Sequence, residues 1–71
     1  MGLPPHVRLV NEIAIQFAHR PHEVAVAEIA KHMRSFWDPR MRQLLLEHLD
    51  AGGADLDHLA AAAAEQLRQP A

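Results

Sequence analysis

The sequence contains no cysteine, no tyrosine and no threonine, and Ser35 is its only serine. Without cysteine there is no disulfide to staple the fold and no thiolate to ligate zinc or an iron–sulfur cluster. Nucleophilic catalysis is left with almost nothing to work with, so an independent enzyme is not expected. Aromatic side chains are scarce too: Phe17, Phe36 and Trp37 are the whole set. There is no glycine-rich phosphate loop, because Gly52-Gly53 follows one helical pattern and precedes the acidic Asp55 and Asp57, the wrong charge for an anion site. No apolar run approaches the roughly 18–20 residues of a membrane span, and the opening "MGLPPHVRLV" lacks the apolar stretch of a signal peptide. The expectation is a cytoplasmic protein without a membrane contact.

What is present suits one small domain over residues 1–71, with hydrophobic residues at 49% and charged ones at 23%. Thirteen of the apolar residues are alanines, so the volume available for a core is modest. Chains below roughly 70–80 residues usually need a staple or a partner. The formal net charge is −2, yet Lys31, Arg34, Arg40 and Arg42 stand close together against Asp38, and five acids follow against Arg68. That asymmetry suits a protein contact better than nucleic acid, which would need more phosphate-reaching cations over a longer face.

The apolar spacing is helical throughout, and the expected fold is all-α. Leu9, Val10, Ile13, Ala14 and Phe17 recur at three- and four-residue steps and give a helix over about 5–19, opened by Pro4-Pro5 and ended by Pro21. A second, over about 22–35, gathers Val26, Ile29, Ala30 and Met33 on one face. Asp38-Pro39 is an N-cap followed by a proline at the first helical position, starting a third helix over about 39–50. Its expected buried stripe is Met41, Leu44, Leu45 and Leu49, with Leu46 off the stripe and "AGG" as the left-handed stop. Asp55 offers a second N-cap for a fourth helix over about 56–68, lined by Leu56, Leu59, Ala60, Ala63 and Leu67 and ending near Gln69-Pro70. With so little bulk on that last helix, the expectation is a small domain of three to four short helices, with an open bundle completed by a partner chain as one form of it.

Six histidines invite a metal reading, above all His19 and His22 with His32. Zinc needs three or four convergent ligands, and Pro21 breaks the helix between the first two, so their rings need not converge and no metal site is assigned. His32, next to Met33 and near Phe36-Trp37, is the histidine expected to be partly buried and hydrogen-bonded. The stretch "FWDPRMRQLLLEHL" carries the functional expectation. Trp, Met and Arg are the types enriched in binding hot spots, and arginine makes bidentate pairs with carboxylates. The expected partner-binding set is His32, Arg34, Phe36, Trp37, Arg40, Met41 and Arg42, with Phe36 turned inward and Trp37 and the arginines outward. A phosphate contact through Arg40 and Arg42 is a further possibility of the arginine forks.

The string "KHMRSFWDPRMR", Lys31 to Arg42, followed at a fixed distance by Gly52-Gly53-Ala54, resembles the delta subunit of cytoplasmic, molybdenum-containing, NAD-dependent formate dehydrogenases. The resemblance runs from about Val10 to Leu67; Phe17 and Pro21 are a weaker part of it. It implies a non-catalytic accessory subunit that binds the catalytic (alpha) subunit, and through it the beta and gamma subunits. It would support assembly, stability or molybdenum cofactor insertion. The complex it implies carries bis-molybdopterin guanine dinucleotide, iron–sulfur clusters and FMN, none of them on this chain. Trp37 and Met41 would enter an apolar groove of the large subunit while Arg34, Arg40 and Arg42 pair with its carboxylates. The alternative is a transient assembly chaperone for the apo-enzyme that is absent from the holoenzyme.

Overall fold

Two prolines open the first helix. Pro4 is extended, its carbonyl accepts from the amides of Val7 and Arg8, and Pro5 takes the first helical position, where its missing N–H costs nothing. In the computed structural model, which describes residues 2–69, helix α1 runs Pro5–Phe17, α2 His22–Phe36, α3 Pro39–Asp50 and α4 His58–Gln66. No strand occurs among the described residues, and none of their helices is long and apolar enough to cross a membrane. The fold is a small all-α domain.

α1 ends two residues earlier than its spacing suggests. Pro21 disfavours a helical Arg20, and the chain leaves through tight turns in which Ala18 donates to Ile15 and Arg20 to Phe17. Its inward face is Val7, Val10 and Ala14, with Ile13 and Phe17 partly buried against the core. Leu9, expected on that face, is 37% exposed. α2 buries Ala25, Val26, Ile29, Ala30 and Met33, the stripe its sequence spells out.

The corner between α2 and α3 is made by Trp37 and Asp38, both extended, the latter driven there by Pro39. The Asp38 carboxylate accepts from the Met41 amide at 2.9 Å and so caps α3. On α3 only Leu45 is fully buried, while Met41, Leu46 and Leu49 pack partly against the core. This corrects the expected stripe: Leu44 is exposed and Leu46 is inward. The inward line runs Arg42, Leu45, Leu49, because the Arg42 side chain is drawn under the end of α2.

α3 stops in a Schellman arrangement, with Gly53 N–H donating to His48 and Gly52 N–H to Leu49. Both glycines have positive φ, 120° at Gly52 and 65° at Gly53, backbone that only glycine adopts at low cost. Asp55 does not cap α4. It occupies φ 65° in the connecting loop, and the cap is Asp57, whose carboxylate accepts from the Leu59 amide at 2.8 Å. α4 therefore begins two residues later than the sequence suggests; the Pro70 of its expected end lies outside the described residues.

Helix α4 is no appendage. It shares its widest contact with α2 and also packs on α1 and α3, burying Leu59, Ala60, Ala63 and Ala64. Alanine achieves this because its short side chain lets two helix backbones approach closely, so burial comes from proximity rather than bulk. The successive helices α2 and α3 barely touch one another, while α1 and α4 each pack on all three others. The radius of gyration is 10.9 Å, against about 11 Å expected for a closed domain of this length. The open form weighed from the sequence is not the one adopted.

Candidate partner-binding surface

The seven residues expected to bind a partner divide into three that are used within the fold and four that reach its surface. Trp37 is the first surprise: it is 9% exposed and belongs to the core with Met33 and Leu45, whereas Phe36 is 77% exposed. The expected orientation is thus reversed. Trp37 plugs the corner and Phe36 projects from it.

Two of the arginines are also turned to internal work. The Arg42 guanidinium donates to the carbonyls of Trp37, Arg34 and Met33 at 2.8, 3.1 and 3.3 Å. Met33 and Arg34 belong to the last turn of α2 and Trp37 is its C-cap, a helix end where the dipole favours a cation; the Met33 carbonyl also accepts from the Trp37 amide. Arg34 does the same for α4, donating to Gln66 at 2.7 Å and Gln69 at 3.2 Å. Expecting both to reach outward for carboxylates misses that helix ends in so small a domain stand close enough for a long side chain to cap them. Backbone acceptors of this kind leave no mark in sequence.

The remaining four form two separate hollows. The His32 ring lies against Phe36 with centroids 4.9 Å apart, and together with Phe17, Glu28, Lys31 and Ser35 they border a hollow of about 170 Å³. Arg40 and Met41 border another of about 250 Å³ with Pro5, His6, Asp38 and Leu44. Arg40 is exposed, and the ion pairs among the described residues are those of Arg68, with Asp50 and with Glu65. Among the described residues its guanidinium has no ion-pair partner.

His6, Leu44 and Phe17 were not singled out as surface residues. Leu44 could have been found by centring the α3 stripe on Leu45, which leaves position 44 about 100° away. His6 borders the second hollow and meets His48 edge-on, ring centroids 5.9 Å apart. Burial, and then the neighbouring His48, hold its pKa below the usual 6.5. The histidines do not gather for a metal. His22 instead stacks on His58, centroids 6.1 Å apart, and no group of three potential metal ligands converges among the described residues.

The surface therefore offers a protruding aromatic and a shallow apolar groove with a free cation, the makings of a protein contact. Neither the curated proteins nor the solved structures compared with the chain gave a match. The family model for the delta subunit FdsD of NADH-dependent formate dehydrogenase does match, over residues 6–64. That span includes all of α2 and α3 and both hollows apart from Pro5, and the chain belongs to this delta subunit family.

Proposed function

We propose that the chain is a non-catalytic accessory subunit that binds the catalytic subunit of formate dehydrogenase and supports assembly, stability or molybdenum cofactor insertion. Exposed Phe36 is the observation that carries this reading. Aromatic residues are the ones a small, core-poor domain can least leave in water: full burial of such a side chain is worth about 1.5–3 kcal/mol. Here the largest exposed hydrophobic residue stands at 77% exposure beside a closed core, braced by His32. A partner that buries it recovers that free energy, and a central aromatic anchor is typically worth about 2–4 kcal/mol to an interface.

The donor set of this chain does not suit the redox groups of such a complex. It has no cysteine for an iron–sulfur cluster, and Arg42, needed for a two-arginine phosphate clamp, is committed to three carbonyls. On this reading electron transfer and formate oxidation fall to other subunits, and this chain contributes contact surface.

The test is recovery of formate dehydrogenase on the tagged chain from its native cells, with Phe36→Ala alongside and formate-dependent NAD reduction measured on the eluate. Stoichiometric active enzyme with the wild type, reduced at least tenfold by Phe36→Ala, supports a resident subunit anchored through Phe36. Recovery of inactive, molybdenum-free catalytic subunit alone points to the transient chaperone. Recovery of neither overturns the reading.

A further inference from the structure

The groove between the start of α1 and the first two turns of α3 differs from the Phe36 hollow in having a chemistry that specifies its occupant. Its volume, about 250 Å³, lies below the roughly 300–1,000 Å³ of sites that enclose a drug-sized ligand. It holds a side chain or two, not a nucleotide or a pterin. Pro5, Met41 and Leu44 supply its apolar wall, and Leu44 is 41% exposed.

Three charged or titratable groups border it. The Asp38 carboxylate is occupied with the Met41 amide at the positive end of α3. His6 is held toward its neutral form by burial and by His48. Arg40 takes part in none of the ion pairs among the described residues. The groove thus presents an apolar wall with the exposed Arg40 guanidinium at one side of its rim, while the negative charge of Asp38 is set against the N-terminus of α3. The electrostatic complement of the Arg40 side is an apolar group with a carboxylate close by.

We propose that this groove docks a segment of a partner protein carrying one or two aliphatic side chains next to a carboxylate, the aliphatic part seated on Met41 and Leu44 and the carboxylate paired with Arg40. This names the chemistry of a second contact, distinct from the Phe36 anchor. It rests on the accessory-subunit reading for the identity of the partner.

The test uses the isotope-labelled full chain and two acetylated tetrapeptide probes, one of two leucines followed by two glutamates and the other with lysines in place of the glutamates. Amide shifts are followed by NMR through each titration. The expected result is saturable shifts at His6, Met41 and Leu44, with the glutamate peptide bound about three- to fivefold more tightly, the scale of one exposed ion pair. Arg40→Glu should reverse the preference, and Leu44→Ser should weaken both peptides. Equal affinity for the two peptides, or shifts confined to His32 and Phe36, overturns the proposal. So does a concentration-dependent shift of the groove residues without peptide, which makes a second copy of the chain the occupant. None of these outcomes touches the recovery of formate dehydrogenase, so failure of the groove and failure of the subunit reading remain separate.

Discussion

Phe36 and Trp37 are adjacent in sequence and opposite in environment, one 77% exposed and the other 9%. Position explains the split. Trp37 stands four residues beyond Met33 and eight beyond Ile29, both fully buried, so it prolongs the inward stripe of α2 by one step. Its backbone N–H still donates to Met33 at 2.9 Å although its own φ and ψ, −88° and 139°, have left the helix. Phe36 stands four beyond His32 and prolongs the outer line.

The two aromatics should therefore respond differently to truncation. Trp37→Ala opens a cavity in the core and should cost about 3–5 kcal/mol, a large share of the total stability of a domain this small. Phe36→Ala should change stability by no more than about 0.5 kcal/mol. Urea denaturation followed by circular dichroism checks both; a destabilised Phe36→Ala would mean that Phe36 supports the fold after all.

Most of the fold was legible in the sequence, and the site much less so. The proline and aspartate punctuation and the α2 stripe lead directly to the four helices. The stripe of α3 is ambiguous in sequence because Leu44, Leu45 and Leu46 are chemically alike, and the rotation that puts Leu45 inward goes with an Arg42 side chain turned toward α2. α4 carries little side-chain volume, which by itself suggests an open bundle, whereas close backbone approach is what buries alanine. The site was obscured by tryptophan's general preference for interfaces, set against the four-residue step from Met33 that places Trp37 inside.

Arg42 should be a stability residue. Its guanidinium serves three carbonyls of the last α2 turn and the corner, and charged hydrogen bonds of this kind are worth about 1.5–3 kcal/mol. Arg42→Ala should lower stability by about that amount. Arg42→Lys, which keeps a cation near the helix end on a shorter side chain that does not reach as far, should recover only part of it. Urea midpoints of the three proteins decide the matter, and equal midpoints for lysine and arginine would reduce the role to charge alone.

Asn11 holds the loop that starts α4. Its amide donates to the Asp55 carbonyl and its side-chain oxygen accepts from the Asp57 amide, both at 2.8 Å, which steadies a segment where Asp55 has φ 65°. Asn11→Ala should cost about 0.5–1.5 kcal/mol, because two backbone groups at the partly exposed loop exchange a fixed partner for water. Hydrogen exchange should locate the effect: faster exchange at the Asp57 amide and the first turn of α4, with α2 protected as before.

His6 makes stability depend on pH in a definite direction. Burial, followed by the charge on His48, keeps its folded pKa below the 6.5 expected when unfolded. His48 Nε2–H meanwhile donates to the Ala54 carbonyl at 2.7 Å, which anchors the facing ring. Between the depressed folded pKa and 6.5 the unfolded chain binds more protons, so stability rises with pH through that interval. The contribution is fully present above about pH 6.5 and is lost as the pH falls through the folded pKa. Thermal melts from about pH 7.5 down to 5, the range over which histidine titrates, should show the wild type losing more stability than His6→Gln. Parallel curves for the two proteins would remove His6 from the pH response.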